Sequence, residues 1–336
     1  MPVAAILGCS GPTLTADERR FFHQADPLGF ILFQRNCQTP DQVRQLVRDL
    51  RDAIDRPDAP VLIDQEGGRV ARLRPPAWRT TPAAGRFGML AGQDADGAAE
   101  AARLNAELTG RDLADLGITV DCAPVLDLQF PGAHSVVGDR GFGADPELVA
   151  RLGRAVCDGL RSAGVTPAIK HIPGHGRALV DSHHELPRVD ATIEELRRLD
   201  FVPFKRLVDM PWGLTAHVVY TAIDPARPAT TSPTLIAGII RGEIGFDGVL
   251  VSDDLSMEAL KGSIGDRAAR ARAAGCDIAL HCNGKIEEMR EVVAAAGPIA
   301  ADTARRLARG SRHSPPPSTS DTAKLRSRLD ALLATA

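Results

Sequence analysis

The stretch GVTPAIKHIPGHG, residues 164 to 176, decides how the chain folds. A helical pattern over 146 to 162 stops at Gly164, where a left-handed C-cap is open to glycine. A short apolar run, 165 to 170, follows at once and breaks off at Lys170 and His171, before a long segment rich in Gly, Pro, His and Arg. Helix, tight turn, strand, polar edge and long loop together form the cadence of a parallel sheet wrapped by helices.

Working outward, the same cadence recurs. Apolar runs lie near 3 to 7, 29 to 33, 60 to 64, 118 to 122, 165 to 170, 213 to 217, 248 to 253 and 277 to 281. Eight such runs predict a closed barrel. Behind Thr39 and Pro40, the residues Val43, Leu46, Val47, Leu50 and Ile54 form an apolar helical stripe with an N-cap and a proline at N1. Further helices are expected near 97 to 116, 146 to 162, 193 to 208, 232 to 243, 266 to 274 and 285 to 295, and Gly117 and Gly275 lead into strands as Gly164 does.

The connections are lopsided. Helix-to-strand turns take a few residues, whereas 65 to 95, 123 to 145 and 171 to 190 are long, and in a barrel the long side is the active-site face. Strands also end in polar residues, Gln34 and Arg35, Asp64, Asp121, Lys170 and His171, His217, Asp253 and His281, all expected on one rim. The fold class is therefore α/β, a (β/α)8 TIM-type barrel in a single domain over 1 to 310. Residues 311 to 336 read as a Pro/Ser linker and a short C-terminal helix.

Composition narrows the class of ligand. With 40 basic and 43 acidic residues the net charge is -3, and no Lys/Arg block stands out to follow a phosphate backbone or an anionic membrane, so no nucleic acid or membrane partner is expected. Cysteines at 9, 37, 122, 157, 276 and 282 show no zinc spacing and read as small buried hydrophobes. Ile6-Leu7-Gly8-Cys9 lacks the basic n-region and apolar length of a signal peptide, and no run reaches the roughly 20 apolar residues of a membrane span. A cytoplasmic monomer without a cofactor is expected.

The densest chemistry is KHIPGHGRALVDSHHELP, residues 170 to 187. His171 and His175 stand four apart, but Pro173 and Gly174 break the helix that would set them on one face of a metal site. In Asp181-Ser182-His183, the carboxylate can accept the imidazole N–H, fix its tautomer and raise its basicity, which makes a general acid/base. A solvated surface histidine beside an aspartate has the same sequence.

In GVLVSDDLSM, residues 248 to 257, an apolar strand ends in two aspartates. Side chains alternate along a strand, so one of Asp253 and Asp254 faces the barrel axis, where a carboxylate can attack an anomeric carbon. An aspartate there also serves as a helix N-cap. IDQEGGRVARL, residues 63 to 73, puts Asp64 on the rim with Arg69 and Arg72 downstream, a mixture suited to sugar hydroxyls. GDRGFG, residues 138 to 143, adds Arg140.

Taken in order, GFILFQRN (29 to 36), IDQEGGRVARL (63 to 73), APVLDL with VVGDRGFG (123 to 143), KHIPGHG with DSH (170 to 183) and VSDDLSM (251 to 257) resemble glycoside hydrolase family 3, and within it the bacterial single-domain β-N-acetylhexosaminidases of peptidoglycan recycling. The resemblance implies Asp253 as nucleophile and His183 with Asp181 as acid/base dyad. Asp64, Arg72, Arg140, Lys170 and His171 match positions that hold the non-reducing-end sugar. It further implies β-linked N-acetylglucosamine as glycone and 1,6-anhydro-N-acetylmuramic acid muropeptides as natural substrates. Gly141 stands where the family commonly has serine, and His184 where an apolar residue is more usual. A β-N-acetylglucosaminide phosphorylase or a β-glucosidase on the same barrel is the alternative reading.

Overall fold

The structure, a computed structural model, describes residues 1–130, 137–178, 180, 185–312 and 319–334. Eight strands form one sheet in chain order: β1 Val3–Gly8, β2 Pro27–Leu32, β3 Val61–Ile63, β4 Val120–Asp121, β5 Thr166–Ile172, β6 Trp212–Thr215, β7 Val249–Val251 and β8 Ala279–His281, while Arg188–Val189 and Val219–Tyr220 pair separately outside it. Every neighbouring pair is parallel, and β8 returns to β1 with Ile6 opposite Leu280. A bridge between Val251 and Ile278 joins β7 to β8, so the expected barrel is present.

Period-2 alternation sorts the strand residues into two apolar layers. Ala4, Ile6, Leu62, Val120, Ala168, Trp212, Leu214, Val249, Val251 and Leu280 pack together inside the barrel. Their neighbours Ala5, Leu7, Val61, Ile63, Ile169, Leu250 and Ala279 face outward and pack with the helices. The interior is thus filled by side chains, as in other barrels of this size, and does not form a pore.

The outer layer begins with α1 (Ala16–Ala25), closed by a Thr15–Glu18 capping box, and α2 (Pro40–Asp52), whose N-cap is Thr39 and whose buried stripe is Val43, Leu46, Val47 and Leu50. It continues with α3 (Ala84–Ala91), α4 (Ala95–Asp115) and α5 (Pro146–Ser162). Gly117 and Gly164 have φ of +79° and +81°, and Gly275, with φ +114°, caps the helix Ile264–Ala274, so the three glycine stops sit where left-handed backbone is needed.

Three expectations are corrected. The helix expected over 193 to 208 is two short helices, Ile193–Arg198 and Val202–Arg206, because Pro203 brings no N–H to continue the first. The stretch 65 to 95 contains α3, and the segments Ala16–Ala25 and Ala301–Arg312 are helices not expected from the pattern. The polar strand ends do not all meet on one rim. Asp121 and His281 take the outward parity of their strands, since Val120 and Cys122 on one strand and Leu280 and Cys282 on the other face inward.

The terminal helix Thr322–Leu333 is present, and it docks on α4 through Arg328 and Glu100, 2.6 Å apart. The centre of the expected linker, 313 to 318, lies outside the described residues. Five of the six cysteines are buried and Cys37 is half-buried. No helix among the described residues is long and apolar enough to cross a membrane.

Candidate active site

Two residues beyond an inward-facing apolar position, strand parity again turns a side chain toward the axis. Leu62 therefore leads to Asp64, Ala168 to Lys170 and Val251 to Asp253, just where the strands leave the core. All three line a cavity of about 230 Å³ at the C-terminal mouth of the barrel, with Glu66, Arg72, Arg140 and His171. Ile31, Leu214 and Leu280 from the barrel interior also border it. It is a blind pocket, closed below by packed apolar side chains.

Its far wall is an ion network. Lys170 Nζ donates to Asp64 Oδ1 at 2.7 Å and lies 2.6 Å from Glu66 Oε1. Arg72 donates to Asp64 Oδ2 at 3.0 Å, and Arg140 holds Glu66 bidentately at 2.8 and 2.7 Å. Burial pushes both carboxyls up, but Lys170 with Arg72 on Asp64, and Lys170 with Arg140 on Glu66, outweigh it; Glu66 settles at about 2 and Asp64 well below the usual carboxylate range. Burial lowers Lys170, yet the two carboxylates hold it above the ordinary lysine value. Asp64, Glu66, Arg140 and Lys170 are therefore all charged near neutrality.

Gln65 braces this wall from behind. Its side-chain oxygen accepts the N–H groups of Arg72 and Leu73 at 2.8 and 3.0 Å, and its own N–H donates to Asp121 Oδ1 at 2.9 Å. The loop is thereby folded back so that Arg72 reaches Asp64. Arg72 also stacks over Phe33, 4.8 Å from the ring centroid.

Asp253 and Asp254 have separate environments. The Asp254 carboxylate is engaged by Ser256 Oγ at 2.6 Å and by the N–H groups of Ser256 and Cys282 at 3.0 and 3.2 Å. Asp253 Oδ1 accepts the Asp254 N–H at 2.8 Å, and its other oxygen has no hydrogen bond among the described residues. Burial raises the Asp253 carboxyl, but His217, His171, the Asp254 N–H and Lys170 bring it below its ordinary value. His217 is itself fixed, with Nδ1 2.7 Å from Thr230 Oγ1 and Nε2 3.0 Å from the Asp254 carbonyl oxygen.

A histidine pair stands between the two walls. Lys170 and His171, joined by a cis peptide, both line the pocket. His171 Nδ1 lies 2.7 Å from Asp127 Oδ2, while the His175 N–H donates to Asp127 Oδ1 at 2.6 Å. Burial raises the Asp127 carboxyl, yet the two histidines pull it to about 2; burial pushes the His175 imidazole down to about 4.

The expected site residues Asp64, Arg72, Arg140, Lys170, His171 and Asp253 thus meet in one pocket. Asp181 and His183 lie outside the described residues. Glu66 and Asp127 join the pocket without having been singled out, and His175, weighed only as a metal ligand, lines it too. Glu66 sits two positions beyond Asp64 and shares its parity, a signal present in the sequence; Asp127 and His175 are brought in by the return of their loops, which spacing does not reveal. Among the described residues, no three His, Cys, Asp or Glu side chains gather as a metal ion would require.

Chemically, the far wall offers paired carboxylate acceptors and cationic donors to a polyhydroxylated ligand. The near wall offers an ionised carboxylate with one uncommitted oxygen.

Residues 13–308 match the model of the glycosyl hydrolase family 3 N terminal domain. The chain is 41% identical over 282 residues to a beta-hexosaminidase of Alkalilimnicola ehrlichii, covering 83% of this chain and 80% of that protein. It is 42% identical over 289 residues to a beta-hexosaminidase of Pseudomonas aeruginosa, covering 85% and 84%. Among solved structures, NagZ from Neisseria gonorrhoeae in complex with N-trifluoroacetyl-D-glucosamine superposes with a TM-score of 0.86 at 32% identity, covering 99% of this chain and 96% of that one. A family 3 beta-N-acetylglucosaminidase from a Paenibacillus species gives 0.84 at 32% identity; this chain spans 66% of its length.

Proposed function

The chain belongs to glycosyl hydrolase family 3, and from that premise we propose that it is a retaining exo-β-N-acetylglucosaminidase acting through a covalent glycosyl-Asp253 intermediate. The observation that carries this reading is the pairing of an ionised, inward-facing Asp253 with a blind pocket lined by Asp64, Glu66, Lys170 and Arg140. A pocket closed at its base admits one terminal sugar, which favours exo cleavage. The N-acetylglucosamine identity rests on the relatives.

In the proposed cycle, the ring hydroxyls bind the wall of Asp64, Arg72, Arg140, Lys170 and His171. Asp253 attacks the anomeric carbon through its uncommitted oxygen, and the bond to the leaving oxygen breaks as His183 delivers its proton there. Asp181 orients the imidazole and stabilises its charged form. His183 then takes a proton from water, which displaces Asp253 from the same carbon. Two inversions return the starting anomeric configuration. Before the first bond forms, the ionised carboxylate also opposes the positive charge developing on the sugar.

By resemblance to the family, 1,6-anhydro-N-acetylmuramic acid muropeptides are the natural substrates, cleaved in the cytoplasm by a monomer. The test is trapping with a 2-deoxy-2-fluoro or 5-fluoro glycoside followed by peptide mapping, with products followed by NMR in the presence and absence of phosphate. Label on Asp253 and a β-configured free sugar support the reading. Label on Asp254, no label, or a sugar phosphate as product overturns it.

A further inference from the structure

Attack by Asp253 on an anomeric carbon needs the leaving oxygen on the far side of that carbon, and a pocket closed at its base leaves that oxygen only the mouth. Arg72 stands at this border. It lines the sugar pocket and also a second groove of about 360 Å³, formed by the segments 34–39 and 72–78. These segments lie beyond the C-terminal ends of β2 and β3, so groove and pocket share one face of the barrel.

The groove is held in shape by the chain itself. Gln65 grips Leu73 from both sides, accepting its N–H at 3.0 Å and donating to its carbonyl oxygen at 3.1 Å. The Trp78 N–H donates to the Arg74 carbonyl oxygen at 3.3 Å. Trp78 is half-buried and packs on the core, and with Pro75 and Pro76 it gives the groove an apolar bed on which the C–H face of a sugar ring can lie.

The charge of the groove is one-sided. Of the four arginines between 69 and 79, Arg69 reaches Asp139 at 3.0 Å, Arg72 reaches Asp64 at 3.0 Å and Arg79 reaches Asp112 at 3.4 Å. Arg74 is exposed and meets no carboxylate among the described residues. Its Nε and Nη2 donate to the carbonyl oxygens of Ala71 and Arg69 at 2.8 and 3.0 Å, which fixes the guanidinium and leaves Nη1 unbonded among those residues. No described aspartate or glutamate lines the groove, nor the adjoining hollow of about 290 Å³ that Arg74 also borders.

We propose that this groove is the subsite for the leaving group, and that Arg74 selects leaving groups that carry a carboxylate. The proposal rests on the reading of the pocket as a glycosidase site. Nη1 supplies N–H donors to the carboxylate, a charge-assisted bond that a neutral amide of the same shape replaces only in part. Arg72, committed to Asp64, faces the terminal sugar, and Arg74 two residues later faces what is released. One loop thus reads the substrate on both sides of the bond that breaks.

The experiment compares kcat/KM for two disaccharides, N-acetylglucosaminyl-β-1,4-N-acetylmuramic acid and the same compound with its carboxylic acid converted to the primary amide. They differ by one charge. The parent should prefer the acid by about fivefold, the scale of an exposed ion pair, and Arg74→Gln should bring the two within about twofold. In the parent, salt raised from about 0.05 M to about 1 M should also compress the preference to within about twofold, because an exposed charge is screened.

Equal use of acid and amide by the parent overturns the proposal. So does a preference that survives high salt, or one that persists in Arg74→Gln while both rates fall together, which would make Arg74 a clamp of its own loop. Failure of the glycosidase reading looks different: the parent would then leave 4-nitrophenyl β-N-acetylglucosaminide uncleaved, and both readings fall. Loss of the Arg74 proposal alone leaves that cleavage intact.

Discussion

Arg140 and Glu66 are locked by two hydrogen bonds, 2.8 and 2.7 Å, with 11% and 5% of their side chains exposed. Removing one partner of a buried pair strands the other, at a cost of about 3 kcal/mol or more. Glu66→Ala should therefore lower the urea-unfolding free energy by about that amount, and it should raise KM as Lys170 and Arg140 lose their shared partner. A change within about 1 kcal/mol, the range of an exposed pair, would show that the wall is solvated instead.

Asp253 and Asp254 should fail in different ways. Asp253→Asn keeps the oxygen that accepts the Asp254 N–H but removes the nucleophile, so kcat should fall by at least about 10³-fold with little change in melting temperature. Asp254→Ala breaks the bonds to Ser256 and Cys282 that tie the end of β7 to β8. Its first effect should be a lower melting temperature, by several degrees for a loss of about 2 kcal/mol. The two readouts are kcat on an aryl N-acetylglucosaminide and thermal denaturation.

The barrel was legible because period-2 strands and glycine stops are local signals. The same parity reaches the site: Val249 and Val251 face inward, so Asp253 does as well, and Leu62 places Asp64 and Glu66 on one side. Parity also shows why Asp121 and His281 fail to reach the rim, a point that an inventory of polar strand ends overlooks. Asp127 was not legible as a site residue. It becomes one only because the 171–178 segment folds back over 126–129, a contact between loops distant in sequence that no local pattern encodes.

Acid should destabilise the fold in two stages. His175, lowered by burial to about 4 from an unfolded value near 6.5, makes the folded chain bind fewer protons between those limits, so stability falls as pH drops from about 6.5 to 4 by about 3 kcal/mol. Asp127, held at about 2, contributes stability above its unfolded value near 3.9 that is lost as pH falls from there to about 2. Urea midpoints at pH 7, 4.5 and 2.5 should show both declines. In His175→Asn the first should shrink while the second persists, and an unchanged first decline would assign it to another group.

Gly176 joins the histidine segment to its support. A Cβ at this position would run into the Leu128 carbonyl, with further contacts at 2.9 Å to the Leu128 N and C atoms. These obstacles are backbone, so they cannot swing aside as a side chain would, and Gly176→Ala must push residues 175–178 off the strand of chain that carries Asp127. Overpacking of this kind costs about 1 to 3 kcal/mol. The displacement begins next to His175, whose N–H is bound to Asp127, and it precedes Asp181 and His183 along the chain. Asp64, Glu66 and Arg140 are held by separate bonds on the far wall and should remain in place. Gly176→Ala should therefore lower kcat by about tenfold or more, as expected for a misplaced catalytic group, while leaving the affinity for N-acetylglucosamine within about threefold. Equal losses in both measurements would mean that the two walls move as one body.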